Sequence, residues 1–321
     1  MADELDLLRA ANPALPDGPH YGDGPLDHHA ERQLDRLLRN RAPWRRRMAW
    51  SLAAVVVVAA TVAGLLFSGS TTTPAVAAPL PLVVRADSTP VGLAELAERA
   101  RAAAADGAPA LRKGTHVQSW SMGMSDDKPP ITLPEERIVR WKADASRTEL
   151  VVATDPRHPG RPVLTDEGGA PRTVEDGHVL SDLTYPPSWS DAPPEARPPA
   201  DVAGLRAYLQ ETAYSHTALS TPELLDAVQE LLNHWTLGAA ESAALAQLLA
   251  DADGLRPVGQ VTDRLGRSGQ ASVSMGSDTR RMLIMDSATG AVLGLETTFT
   301  KSEPRYGVKA GDVMEYSTWM R

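Results

Sequence analysis

The sequence predicts an α+β fold: a twisted antiparallel sheet, open and half-barrel-like, packed against helices and preceded by a single transmembrane helix. Two observations predict it. Strand signals fill residues 116–154, helical periodicity fills 201–252, and strand signals return over 258–320. Strands, then helices, then strands is the order of an antiparallel sheet with its helices on one face, not of alternating βαβ units. The second observation is Met48–Phe67, a run of 20 almost wholly apolar residues (MAWSLAAVVVVAATVAGLLF). As a helix this run is roughly 30 Å long, the hydrocarbon thickness of a bilayer.

Residues 1–47 read as a cytoplasmic arm, largely disordered. Asp3–Arg9 and Glu31–Arg41 carry short helical patterns, separated by a Pro-, Gly- and Asp-rich stretch. Two such pieces cannot enclose a core. Arg45, Arg46 and Arg47 precede the apolar run, with Arg36, Arg39 and Arg41 upstream, and the next basic residue is Arg85. Cytoplasmic flanks carry the excess of Lys and Arg, which places the amino end inside and the carboxyl-terminal domain outside the plasma membrane. Ala75-Val76-Ala77 matches the small-x-small pattern of a cleaved signal peptide, but a lead of 47 residues is too long for a signal n-region. Residues 48–67 are therefore read as a retained span, and 68–90, rich in Ser, Thr, Pro and Ala, as a linker.

The extracytoplasmic α+β domain is 91–321. Leu93, Leu96 and Ala97 open a helix that stops at Asp106-Gly107. His116–Met124 alternates, with Val117, Ser119 and Ser121 on one face and Gln118, Trp120, Met122 and Met124 on the other. Ile138–Lys142 and Thr148–Thr154 continue it as an antiparallel meander. Prolines recur from Pro156 to Pro199, which predicts a surface excursion with at most one or two edge strands. Leu205, Tyr208 and Leu209 mark a helix from Asp201. Ser220-Thr221-Pro222-Glu223 is a capping box with an early proline, followed by Leu224, Leu225, Val228, Leu231, Leu232 and Trp235 at helical spacing. A third helix spans Ala239–Ala252, its stripe Ala240, Ala244, Leu245, Leu248 and Leu249, and ends at Gly254. Val258–Arg264 and Gln270–Met275 flank one hairpin loop, Met282–Met285 and Val292–Thr300 flank a second, and Val313–Met320 closes the sheet.

Chemistry is sparse in this pattern. A formal charge of −9 offers no basic face for phosphates, so no nucleic-acid partner is expected. The lack of cysteine excludes disulfides, thiol catalysis and Cys-ligated zinc. The eight histidines include no i, i+4 pair, and His20, His28 and His29 flank a flexible loop without a scaffold. His234 reads as a helix-end cap whose imidazolium favours the helix dipole. Asp251-Ala252-Asp253-Gly254 lacks the remaining ligands of a calcium loop and reads as a helix terminus. Glu135-Glu136 and Asp126-Asp127 are placed in loops or at strand starts. No Gly-x-Ser-x-Gly elbow occurs. No catalytic, cofactor-binding or metal-binding residue is assigned, and no cofactor; the expectation is a non-enzyme. Trp120, Met122 and Met124, with Met275, Met282, Met285, Met314 and Met320 on later strands, are candidate pocket lining, and an apolar ligand would lie between sheet and helices.

Four pieces carry a resemblance: Asp3-Glu4-Leu5-Asp6-Leu7-Leu8-Arg9, the Arg-flanked span, Pro199-Ala200-Asp201-x-x-Gly204-Leu205-Arg206-x-x-Leu209, and Asp263-x-x-Gly266-Arg267-Ser268-Gly269 before Thr289-Gly290-x-Val292-Leu293-Gly294. With them the chain resembles uncharacterised actinobacterial single-pass membrane proteins, often encoded beside extracytoplasmic-function sigma factors. The resemblance implies a signalling role, with a sigma factor as the cytoplasmic partner of the arm. It departs from the zinc-binding anti-sigma pattern, which needs His and paired Cys. In outline the outer domain is also similar to periplasmic lipoprotein-carrier and sigma-regulator sensor domains, an architectural likeness only. Two functions stay open: a sensing or binding domain coupled to a cytoplasmic regulator, and an envelope carrier or scaffold for an apolar ligand. The bilayer is a partner in both, and the sequence leaves the oligomeric state undetermined.

Overall fold

The structure, a computed structural model, describes residues 78–105, 107, 109–126, 128–187 and 190–320. The arm 1–47, the span 48–67 and the first part of the 68–90 stretch lie outside the described residues. Among the described residues no helix is long and apolar enough to cross a membrane.

Sequence order builds one large antiparallel sheet with a helical layer inserted midway. Helix α1 (Leu93–Ala104) leads into β1 (Arg112–Gly123), β2 (Ile131–Trp141) and β3 (Arg147–Ala153). A small hairpin, β4 (Val163–Thr165) and β5 (Arg172–Val174), precedes β6 (His178–Tyr185). Then come α2 (Val202–Thr212), α3 (Thr221–Leu232), the short β7 (Trp235–Thr236) and α4 (Ala239–Ala250). Strands β8 (Arg256–Thr262), β9 (Ser268–Met275), β10 (Thr279–Met285), β11 (Val292–Phe299) and β12 (Val313–Met320) finish the chain. The sheet order is β6-β3-β2-β1-β12-β11-β10-β9-β8, with β7 paired to the start of β1. First and last long strands therefore meet at the centre, Val117 opposite Trp319 and Trp120 opposite Tyr316. This is the large antiparallel sheet packed against helices that the order of signals predicts.

Period-two alternation gives the sheet two buried faces. One face carries Val117, Leu283, Met285, Leu295 and Trp319 into a core shared with helices α1 to α4. The other carries Trp120, Ala271, Val273, Met282, Ile284 and Tyr316. Strand β10 serves both, and its Met282-Leu283-Ile284-Met285 run is at most 1% exposed throughout, as expected of a strand covered on both sides. Local chemistry fixes the helices. Asp201 accepts from the Gly204 amide at 2.8 Å and starts α2. The Ser220–Glu223 capping box forms as predicted and starts α3, with Pro222 in its first turn. Leu231 on α3 is fully buried. Leu231→Ala is expected to cost about 2–5 kcal/mol, through lost transfer energy and the cavity left behind. Chemical denaturation measures it; a loss under about 0.5 kcal/mol would place the residue in a forgiving environment and contradict this packing.

Three elements differ from expectation. The proline-rich excursion holds three strands rather than one or two, and β6 is eight residues long. It lies between Pro171 and Pro186 with no proline inside, so only its flanks are proline-rich. Glu135 and Glu136 sit in the middle of β2, not in a loop or at its start; Pro134 beside them is paired across to Trp120. On α4, Ala240 is exposed while Glu241 and Ser242 are buried, because the helix is enclosed on more than one side.

Candidate functional site

The face of the sheet away from the helices gathers charge and aromatic groups that the fold buries together. Alternation along β1 puts Trp120 on this face, and cross-strand pairing puts Tyr316 beside it, ring centroids 5.5 Å apart and tilted by 45°. Directly opposed aromatic pairs of this kind stabilise antiparallel strands. Gly294 makes room for the second ring: a Cβ there would stand 2.8 Å from the Tyr316 hydroxyl. The Arg264 guanidinium lies 4.8 Å from the Tyr316 ring and 5.9 Å from the Trp120 ring. It pairs with Glu296 of β11, the two side chains 5% and 0% exposed. Arg157 also stands 5.1 Å from the Trp120 ring and grips the buried Asp155 through Nε at 2.9 Å and the backbone amide at 3.0 Å.

Burial sets the electrostatics. It raises the Glu296 carboxyl, and the opposing pull of Arg264 and of the Leu82 amide does not cancel it. Burial lowers Arg264 in the same way. Asp155 differs: burial pushes its carboxyl up, but hydrogen bonds and charge from Arg157 outweigh that and hold it below the usual range. Desolvation pushes the Tyr316 phenol up, so it remains a neutral hydroxyl.

The roof of this cluster is the segment read from sequence as linker. Residues 78–91 run without helix or strand across the face. The Leu82 amide donates to both Glu296 oxygens, at 2.9 and 3.3 Å. Arg264 Nη2 donates to the Leu80 carbonyl at 2.9 Å. Further along, the Arg85 amide donates to the Gln260 carbonyl at 2.9 Å, and the Gln260 amide returns a bond to Ser88 Oγ at 2.9 Å. Leu82 and Val84 pack into the core beneath, while Leu80 and Val83 are 82% and 80% exposed. Gly259 makes the seat. Its φ of +124° suits glycine alone, and a Cβ would meet Ser88 Oγ at 2.5 Å and Val84 Cγ1 at 3.0 Å. The register of β8 against β9 shifts between Pro257 and Gly259, a bulge that bends the edge strand to receive the strap.

A second cluster sits near the β6 edge. Lys113 Nζ is 3.7 Å from the Trp141 ring centroid and 5.6 Å from that of Trp235. Arg147 lies 4.3 Å from the Tyr185 ring and bridges to Glu195 at 3.2 Å. Burial lowers the Lys113 ammonium.

Other residues singled out from sequence scatter. Met282 and Met285 are buried on opposite faces, and Met275 and Met314 are 52% and 36% exposed, so the methionines line no common pocket. The space between sheet and helices, where an apolar ligand was expected, is filled by Leu205, Leu209, Leu225, Leu231, Leu245 and Leu249, each at most 1% exposed. His234 does cap α3, its Nδ1 3.0 Å from the Glu230 carbonyl, but burial lowers its pKa; it caps as a neutral ring, not as the expected imidazolium. His116 pairs with Glu136 on the strap side of the sheet. Asp251 is the C-cap of α4. Among the described residues no three of His, Cys, Asp and Glu are placed to hold a metal ion. A cleft of about 230 Å³ between the ends of α2, α3 and α4 mixes Leu209, Leu224 and Leu248 with Arg206, Asp251 and Asp253.

Comparison with known protein families, curated proteins and solved structures finds no match. On the strap-covered face a buried cation and anion bond main-chain atoms of the strap, beside the aliphatic side chains of Leu82 and Val84. Sequence reasoning missed Asp155, Arg157, Arg264 and Glu296. The one local signal was the apolar run Leu80-Pro81-Leu82-Val83-Val84 inside the stretch read as linker, which marks a covered segment but not the charges that hold it.

Proposed function

We propose that this chain is a non-enzymatic, single-pass plasma-membrane protein, its outer α+β domain binding an envelope component and its cytoplasmic arm contacting a regulator. The arm's partner, by resemblance, is a sigma factor. The domain is read as an open half-barrel, since its sheet path ends at β6 and β8 without joining them. One observation carries the proposal: residues 78–91, in the stretch that follows the apolar run, are part of the domain. Leu80 lies thirteen positions after Phe67, at most about 45 Å when fully extended. With Leu80 and Leu82 held by Arg264 and Glu296, a change at the sheet face is transmitted into the tether. A carrier needs no such attachment, and its expected ligand space is occupied by the leucine core.

The test has two parts. A reporter active only outside the cell is expected to work when fused after Arg85 and to be silent after Asn40. Changing Arg45, Arg46 and Arg47 to Glu should weaken or invert that pattern. A soluble mature protein beginning near Ala78 would end the membrane reading. The purified arm, residues 1–41, is expected to capture the regulator encoded beside the gene at micromolar strength through Leu7, Leu8, Leu37 and Leu38. Equal capture by the arm with all four leucines changed to Ala, or no capture, would end the signalling reading.

A further inference from the structure

We infer that the groove under the strap is a peptide-binding site, and that Leu80–Val84 is its built-in occupant, displaced by an extended segment of another polypeptide with aliphatic side chains at alternate positions. The contacts define the ligand. Arg264 reads a carbonyl, and Glu296 reads the amide two residues further on. Every extended peptide presents that pair of atoms, so the recognition does not depend on the sequence of the strap. Pro81, between the two contacts, has no amide of its own to satisfy. Selectivity comes from the slots that hold Leu82 and Val84. The exposed Leu80 and Val83 side chains are not read.

Three features mark this as a built seat rather than a loop lying on a surface. Gly259 leaves the space that Val84 and Ser88 enter. The ion pair beneath is almost fully buried, and a buried pair needs hydrogen bonds to its remaining atoms, which the Leu80 carbonyl and the Leu82 amide supply. The strap meets that need incompletely, because Arg264 Nε is buried without a hydrogen-bond partner. The strap also divides naturally. Arg85 bonds the β8 edge backbone to backbone at Gln260, and Ser88 Oγ accepts from the Gln260 amide, whereas the backbone of Leu80–Val84 is held by side chains of the sheet. The first part therefore peels from a fixed hinge at Arg85 while β8 stays covered. A tethered occupant competes at an effective concentration of order mM, so a peptide in trans binds the resting protein weakly and binds well once the strap is out.

This deepens the binding role proposed above and rests on it for its consequence at the membrane, not for the binding itself. The experiment uses the full chain in detergent and a fluorescein-labelled peptide of residues 79–90. The variant Leu82→Asp with Val84→Asp vacates the groove and is expected to bind the peptide at least ten-fold more tightly than the wild type. N-methylation of the peptide at the residue corresponding to Leu82, which removes the amide that Glu296 accepts, is expected to weaken binding at least ten-fold. Should the double variant lose its native circular dichroism, hydrogen exchange on the wild-type chain decides: excess peptide is expected to accelerate exchange of the Leu82 amide and to leave that of Arg85 unchanged. No binding by a folded variant, equal binding of the N-methylated peptide, or exchange unchanged by peptide would each overturn the inference. So would release of the strap by anionic phospholipid vesicles with the peptide inert. A topology reporter that contradicts the membrane reading leaves these binding measurements standing, and their failure leaves the topology reading standing.

Discussion

Replacing Trp120 by alanine is expected to destabilise the domain by about 3–5 kcal/mol, the range for removing a fully buried large aromatic side chain. Trp120 is 1% exposed and sits where the two halves of the sheet join, paired with Tyr316 across β1 and β12. The loss is threefold. The indole takes away apolar area, the tilted contact with Tyr316, and the ring against which Arg157 and Arg264 lie. The two guanidinium groups would then border a cavity instead of a π face, which removes a contribution of about 0.5–2 kcal/mol apiece. Trp120→Phe retains a ring and most of the volume, so its cost should be less than half that of Trp120→Ala. Denaturant unfolding of both variants measures the difference. A loss below about 1 kcal/mol for the alanine variant would mean that the strands rearrange to fill the space, and that this residue does not hold the two halves together.

Trp120 also illustrates what the sequence reveals and what it hides. Its side of β1 is readable from alternation alone, as are the capping box at Ser220–Glu223 and the closing strand Val313–Met320, because each depends on neighbours within one turn or one strand. The identity of the layer over Trp120 is not local. Gln118, Trp120 and Met122 share a face by period two, but nothing in β1 states that residues 78–91 return to cover it. Composition misleads there: prolines and small residues describe a linker, and a strap held by side chains from Arg264 and Glu296 needs no strand propensity of its own. Strand β6 escapes individual assignment for a related reason, since the stretch around it is read as a whole from the prolines on either side, at Pro171, Pro186 and Pro187. The leucines of α2, α3 and α4 are legible as helical stripes, yet their spacing cannot tell a lined pocket from a filled core. The closeness of packing makes it a core. The buried charges are the least legible feature. Arg264 and Glu296 are 32 residues apart, and each reads alone as an ordinary solvated residue.

That pair carries the other large expected effect. Arg264→Met is expected to destabilise the protein by about 3–5 kcal/mol, because it leaves the Glu296 carboxylate buried without its partner. The sign of the pH dependence follows. Burial already raises Glu296 above its ordinary value, and loss of the guanidinium raises it further. A carboxyl with a raised folded pKa takes up protons on folding, so its penalty grows as pH rises from the unfolded pKa, about 4.3, through the folded one. The Arg264→Met variant should accordingly be less impaired at pH 5 than at pH 8. Adding Glu296→Leu removes the orphaned charge and should recover most of the lost stability, since an apolar pair of similar volume commonly replaces a buried ion pair at little cost. Recovery of the fold would not extend to the strap. With both side chains apolar, the Leu80 carbonyl and the Leu82 amide lose their partners, and only the slots for Leu82 and Val84 remain. Unfolding of the two variants, read alongside hydrogen exchange at Leu82, separates these contributions. The double variant should be stable and fast-exchanging at the strap. If its strap is instead as protected as in the wild type, the apolar slots alone hold it, and the charge pair serves the sheet and not the seat.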